Sequence, residues 1–255
     1  MEKTYKTNEV SKLIGIHPNT VRMYEDWGLI SKPMRKDNGY RVFTDLHIDQ
    51  FKLARTALQI EVVQNGLRKK AIDIVKLSAL CKFEEALSLT NEYILLLQSE
   101  IINANEAVRI AQEALYSSDM PSINNTKHLK RKEVSILLGI TIDTLRNWEM
   151  NGLIKVKRKE NRYRVYTNEE IRKLKIIRSL KCANYSLSAI LRMMNALEYS
   201  RIIDVGDILN SPNEDENVLS ACDKLVASLE SARDNAVLIK SMLIKLKNKY
   251  SNPPL

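Results

Sequence analysis

Glycine, proline and cysteine are all scarce in this chain. Seven glycines and six prolines in 255 residues leave few helix breakers, which fits a mainly helical protein. The three cysteines, Cys81, Cys182 and Cys222, stand far apart and form no CxxC pair. Their scatter points to a reduced, cytoplasmic setting rather than a disulfide framework. His17, His47 and His128 have no ligand spacing, and no nucleophile, base or paired-carboxylate constellation stands out. No metal, no cofactor and no enzymatic activity are therefore expected. The chain opens MEKTYK and has no apolar run long enough for a signal peptide or a membrane span, so no membrane association is expected either.

What the chain has is positive charge. Forty lysines and arginines against 31 acidic residues give a formal net charge of +9, which favours an anionic partner, with nucleic acid the leading candidate. The length suits about two domains.

The chain also repeats itself. Thr20 to Thr44 reads TVRMYEDWGLISKPMRKDNGYRVFT, and Thr144 to Thr167 reads TLRNWEMNGLIKVKRKENRYRVYT. Upstream, Glu9-Val10-Ser11 matches Glu133-Val134-Ser135, and Gly15-Ile16 matches Gly139-Ile140. After a single deletion in the second copy, Tyr40-Arg41-Val42 matches Tyr163-Arg164-Val165. Further on, Ile48, Lys52 and Arg55 match Ile171, Lys175 and Arg178. So many identities in one register indicate a duplication.

Each copy reads as helix, turn, helix, ribbon, helix. Val10, Leu13 and Ile14 have helical spacing, and Gly15 ends that helix. Pro18 suits the first turn of the next helix, and Thr141 can cap its counterpart. Asp37-Asn38-Gly39 is a turn signal between short runs that can pair as a hairpin. Two helices joined by a tight turn form a helix-turn-helix, whose second helix can enter a major groove. The basic hairpin beside it is a wing. Lys32, Arg35, Lys36 and Arg41 crowd the first wing, and Lys155, Lys157, Arg158, Lys159, Arg162 and Arg164 the second. Lysine and arginine supply the phosphate contacts that provide most of the affinity for DNA.

TVRMYEDWGLI followed by NGYRVFT resembles the DNA-binding head of the MerR family of bacterial transcription regulators. The pattern runs Thr, Val or Leu, Arg, an aromatic, Glu and Gly-Leu, then Asn-Gly-Tyr-Arg and an aromatic. The first copy departs from it at Met23. The second departs at Asn147, has Trp148 for a tyrosine, and has Arg162 where the wing glycine is expected. The resemblance implies that Thr20, Arg22 and Tyr24, with Thr144, Arg146 and Trp148, lie on the recognition helices. It implies that Tyr40 and Arg41, with Tyr163 and Arg164, contact the DNA backbone from the wings, where Lys36 and Lys159 of the basic runs are also candidate phosphate contacts. Two roles fit Tyr24 and Trp148: a DNA contact, or packing of the head's small core.

Two long amphipathic stretches follow the heads. Steps of four and three pick out Phe83, Leu87, Thr90, Ile94, Leu97, Ile101, Ala104, Val108, Ala111 and Leu115. The same walk finds Val218, Cys222, Leu225, Leu229, Ala232, Ala236, Ile239, Leu243, Leu246 and Tyr250. Each is a coiled-coil seam about 50 Å long. The polar linker between the first helix and the second head reaches at most about 40 Å, which places that head near the far end of the first long helix. The expected fold is mainly α: two winged helix-turn-helix heads with small β-wings, joined through a long antiparallel coiled-coil helix pair. The divisions are a first head over 1–81, a first coil helix over 82–116 and a linker over 117–127. A second head over 128–198, a connecting loop over 199–216, a second coil helix over 217–250 and a tail over 251–255 complete the chain. One chain would then reproduce a family dimer as a monomeric pseudo-dimer. A domain-swapped homodimer is the alternative.

Some members of the family sense metal through cysteines near the long helix. Cys81 lies near such a start, but neither the linker nor the last residues bring a second thiol or imidazole. Other members carry a ligand-binding domain after the coil, and here the sequence ends shortly after Tyr250. The expectation is a regulator that binds an imperfect inverted repeat of double-stranded DNA, distorts the promoter and works with RNA polymerase. The alternative is a DNA-architectural protein using the same heads.

Overall fold

A left-handed glycine closes the first helix of each copy. Gly15 has φ 71° and Gly139 φ 62°, a conformation that costs glycine nothing and strains other residues. Their amides, with those of Ile16 and Ile140, take up the free carbonyls at the helix ends. In the computed structural model, described over residues 3–60, 66–116, 129–156, 164–200, 202–211 and 224–251, these corners lie in two separate units. One unit joins Met1–Ser99 to Ser228–Leu255; the other is Glu100–Ala227.

In the first unit, strand β1 (Thr4–Tyr5) leads into helices α1 (Thr7–Ile14) and α2 (Pro18–Asp26). Strands β2 (Met34–Arg35) and β3 (Arg41–Thr44) form the wing, and helices α3 (Asp45–Ala57) and α4 (Leu67–Ala79) follow. The sheet order is β1-β3-β2, all antiparallel, with Tyr5 opposite Phe43 and Arg35 opposite Arg41. The second unit repeats this with β4 (Leu129–Lys130), α6 (Arg131–Leu138), α7 (Ile142–Met150), β5 (Val165–Tyr166), α8 (Asn168–Cys182) and α9 (Leu187–Tyr199). There Leu129 pairs with Tyr166 and Lys130 with Val165. The short strand ahead of each helix pair has no periodicity of its own and was invisible in the sequence pattern.

An aromatic cluster fills the first head. Tyr24 stacks on Phe51 with ring centroids 5.4 Å apart, and Phe43 lies 6.3 Å from Phe51. Beneath it, Gln50 is buried and fully engaged. Its Oε1 accepts from Ser31 N–H, while its Nε2 donates to Ser31 Oγ and to the Ser78 carbonyl. Ser31 Oγ in turn donates to the Ala79 carbonyl at 2.7 Å. The amide thus ties the loop after α2 to the end of α4.

The long helices are α5 (Phe83–Tyr116) and α11 (Leu225–Tyr250). Every seventh position expected on α5, from Phe83 through Thr90, Leu97 and Ala104 to Ala111, is buried. Of the intermediate positions, Ile101 is buried as expected, but Leu87, Ile94 and Val108 are only half-buried, and Ala86, Tyr93 and Ala107 are buried beside them. In the first unit α5 also borders α4, with Lys70 paired to Glu92 at 3.5 Å. A helix with neighbours on more than one side buries a wider arc than a strict two-stranded seam. On α11, Leu225, Leu229, Ala232, Ala236, Ile239, Leu243 and Leu246 are all buried; Val218 and Cys222 lie outside the described residues.

The end of each long helix docks on a head. In the first unit, Lys249 Nζ and Tyr250 Oη both reach Asp49 of α3 at 3.0 Å, and Lys247 pairs with Glu84. In the second unit, Arg172 of α8 donates to the Leu115 carbonyl at 3.1 Å. Asp49 and Arg172 are the same position in the two copies.

The stretch expected as a connecting loop contains a short helix of six residues, α10 (Val205–Asn210). Asp204 caps it by accepting from Asp207 N–H, and Val205 and Leu209 are fully buried. Gln112 and Tyr116 of α5 clasp the backbone of Ile203 and Val205. A Cβ on Gly206 would stand 3.4 Å from Val108, so the glycine permits that close approach. Six residues are too few for a helical period to show in the sequence.

Two outcomes follow from the first head's buried polar groups. Gln50→Leu strips the acceptor from Ser31 N–H and should lower the unfolding free energy by about 1–3 kcal/mol, read as a lower denaturant midpoint at unchanged slope. His47 is buried, and its Nδ1 accepts from Thr44 N–H at 3.0 Å. Burial holds the imidazole below its ordinary 6.5. The neutral ring therefore contributes stability that is whole above pH 6.5 and is lost as pH falls through the lowered folded-state value. His47→Gln keeps the acceptor, as Glu170 does in the second copy, and should flatten that part of the stability–pH curve.

Candidate nucleic-acid interface

The second helix of each pair is short, capped and sharply ended. His17 caps α2 through Nδ1, which accepts from Asn19 N–H at 3.2 Å, and Pro18 occupies the first helical position. Thr141 caps α7 through Oγ1, which accepts from Thr144 N–H at 3.0 Å. Gly28 and Gly152, at φ 66° and 77°, turn the chain out of each helix. Leu29 and Leu153 return hydrogen bonds to the Tyr24 and Trp148 carbonyls.

One buried carboxylate in each head joins this helix to the wing. Glu25, with a side chain 6% exposed, accepts from Arg41 Nε on one oxygen and pairs with Arg35 at 3.3 Å through the other. Glu149, equally buried, accepts from Arg164 Nε at 2.9 Å and from Arg131 Nη2 at 2.5 Å. Its second oxygen takes the Tyr166 hydroxyl. Burial, reinforced by the bond to Glu149, pushes the Tyr166 phenol up to about 12, so it remains a donor throughout the neutral range. A carboxylate removed from water needs this kind of pairing.

The arginines read as wing contacts in the sequence thus have an internal partner. Arg41 and Arg164 are half-buried and bound to glutamate, and their guanidinium groups set the wing against the helix. The sequence held a signal for this: Glu25 with Arg41, and Glu149 with Arg164, recur in both copies. Tyr24 and Trp148, each 5% exposed, take the second of the two roles that fit them. Tyr24 stacks on Phe51, and neither ring presents a surface to a ligand. Both rings are buried in the cores of their heads.

The other expected residues remain accessible. Arg22 and Arg146 are exposed at the same point of their helices, and Thr20 and Thr144, two residues before them, are half-buried. Thr144 Oγ1 lies 2.8 Å from Thr141 Oγ1, so it belongs to the cap as well. In the first wing, Lys36 N–H bonds the Tyr40 carbonyl at 2.9 Å, Gly39 at φ 79° makes the turn, and Tyr40 is 71% exposed. An open cleft of about 900 Å³ gathers Lys6, Asn8, Arg22, Lys36, Tyr40 and Arg41. The sequence reading missed Lys6 and Asn8, which β1 and the start of α1 bring to the cleft. Lys159 and Tyr163 of the second wing lie outside the described residues.

Among the described residues no three His, Cys, Asp or Glu side chains are grouped as metal ligands. Cys81 and Cys182 are exposed, and Cys222 is outside the described set. No described helix is long and apolar enough to cross a membrane.

If the carboxylate holds the wing, Glu25→Gln should loosen it while the helix pair stays folded. Amide exchange at Lys36, whose N–H closes the wing, should accelerate, and stability should fall by about 1–3 kcal/mol. Unchanged protection at Lys36 would contradict the clasp.

Residues 5–68 and 129–197 both match the MerR HTH family regulatory protein. The HTH-type transcriptional regulator CueR of Escherichia coli O6:H1 is 40% identical over 53 residues, 21% of this chain and 39% of that protein. CueR of Salmonella typhi is 38% identical over 53 residues, 21% of this chain and 38% of its own length. The HTH-type transcriptional regulator ZntR of Escherichia coli K12 is 26% identical over 65 residues, 26% of this chain and 46% of its own length. The chain therefore spans less than half the length of each of these relatives. No solved structure matches the chain. The two matched regions together cover more than half of the sequence, and the duplicated helix-turn-helix with its wing is the part they cover; the chain belongs to the MerR family of helix-turn-helix regulatory proteins.

Proposed function

We propose that this regulator grips one DNA duplex with both heads, reads an imperfect inverted repeat, and distorts promoter DNA so that RNA polymerase can engage it. The observation that carries the reading is the doubled clasp. In both copies a buried glutamate at the end of the second helix fixes an arginine of the wing, and an exposed arginine stands one turn back. A helix and a wing held at a set separation suit a major groove and its flanking backbone. Bending or untwisting the intervening DNA costs on the order of a few kcal/mol, which wing contacts offset.

Arg22 and Arg146 are the principal groove residues in this reading, with Thr20 and Thr144 nearer the N-terminal ends of the same helices. Lys36 and Tyr40 of the first wing, and Lys159 and Tyr163 of the second, reach the backbone. Arg41 and Arg164 act through the wing they position. The heads occupy 1–81 and 128–198, and the helices over 82–116 and 217–250 form an antiparallel strut, so that one chain serves as a pseudo-dimer acting in the cytoplasm. The docking of α11 on α3 in one unit, and of α5 on α8 in the other, supports this exchange of helix ends between equivalent places.

Arg22→Ala and Arg146→Ala should each lower affinity about ten-fold or more. In footprints on a selected duplex, each should remove protection from one half-site and leave the other. Loss of both half-sites together, or of neither, would contradict two separately acting heads. Light scattering should give a mass near the 29.3 kDa of one chain, and twice that value at low concentration would replace the pseudo-dimer with a dimer of chains.

A further inference from the structure

The two recognition helices are near copies, and their differences are few enough to weigh singly. Residues three, four and seven apart share a helix face. Asn19, Met23 and Asp26 therefore lie with Arg22, and Asp143, Asn147 and Met150 with Arg146. Met23 is half-buried, and Asn147 Oδ1 accepts from Asn151 at 2.9 Å. Asp26 and Met150 are the last residues of their helices. In a groove-bound helix the N-terminal residues meet the base edges. That leaves one differing pair in position to read: Asn19 and Asp143, both exposed, both second in their helices, both one turn ahead of the shared arginine. In the first head, Arg22 Nη1 donates to Asn19 Oδ1 at 3.0 Å, which holds the amide beside the guanidinium.

We infer that Asn19 and Asp143 make the two heads read different bases at the same step of their half-sites, adenine through Asn19 and cytosine through Asp143. The inference rests on the two-headed DNA reading above and adds which residues break its symmetry. An amide presents a donor and an acceptor side by side, the complement of adenine N7 and its N6 amino group. Asn19 Oδ1 has a second lone pair for the N6 amino proton while Arg22 occupies the first. A carboxylate only accepts. It matches the N4 amino group of cytosine and is repelled by the acceptor atoms of guanine and by O4 of thymine. Because the arginine, the threonine and the clasp below them are common to both heads, the neighbouring steps should be read alike.

The test is selection of bound sites from random duplex DNA by the full chain and by Asn19→Asp, Asp143→Asn and the double exchange. The unaltered protein should enrich a site with adenine at one half-site step and cytosine at the equivalent step of the other. Asn19→Asp should place cytosine at both and Asp143→Asn adenine at both, each shifting the preference on the order of ten-fold. The double exchange should restore the asymmetric site in reversed orientation relative to a tag on the first head. If the unaltered protein selects a bipartite site that none of the exchanges alters at equivalent steps, this inference falls and the two-headed reading stands. If the unaltered protein enriches no sequence, both fall.

Discussion

A single buried carboxylate governs the geometry of each head. Glu25 and Glu149 sit at the ends of their recognition helices with 6% of the side chain exposed, so their charge must be met by groups carried from elsewhere in the chain. The wing supplies one arginine in both copies. The reach of a glutamate joined to an arginine then sets the separation of helix and wing, whatever the hairpin tip contains. The remaining partners differ. Glu25 takes a second arginine, Arg35, from the wing itself. Glu149 takes Arg131 from α6 and the hydroxyl of Tyr166.

That difference extends into the core. Phe43 occupies the place of Tyr166 in the first head and packs against Phe51 and the edge of His47. In the second head Leu174 stands where Phe51 would be, and Tyr166 turns its hydroxyl to the carboxylate instead. Thr7, the counterpart of Arg131, is too short to reach. The substitutions are thus linked through one acceptor, and each set satisfies it. The docking of the long helices follows the same pattern: Asp49 draws a lysine and a tyrosine, and Arg172 at the same position draws the carbonyl end of a helix, where a cation is favoured.

Much of this was legible in the sequence because it is local or periodic. Gly15 and Gly139 announced their corners, Thr141 its cap, and the seven-residue spacing from Phe83 to Ala111 the face that α5 buries. What escaped the reading depends on partners distant in sequence. The bond from Glu25 to Arg41 spans 16 residues with no period to reveal it, so the arginine looked like a surface charge available to phosphate. Gln50 resembled any polar residue on an amphipathic helix until Ser31 and Ser78 were brought to it. The half-buried state of Leu87 and Ile94 reflects additional neighbours along α5, which a two-helix template does not include. The helix α10 was too short to have a period.

Carrying two heads in one chain changes what substitution can achieve. With identical copies, any change on the reading face appears twice and leaves the site symmetric. Here each face can change alone, provided that the carboxylate below it stays paired. Positions within the clasp are linked, since altering Tyr166 or Arg131 leaves a largely buried Glu149 short of a partner. Asn19 and Asp143 are under no such constraint. They are exposed, precede the clasp by about a turn and a half, and can exchange an amide for a carboxylate without disturbing a core contact. Scaffold and reading face are therefore separable along a helix of nine residues: its C-terminal end is committed to holding the wing, and its N-terminal end is free to diverge in what it recognises.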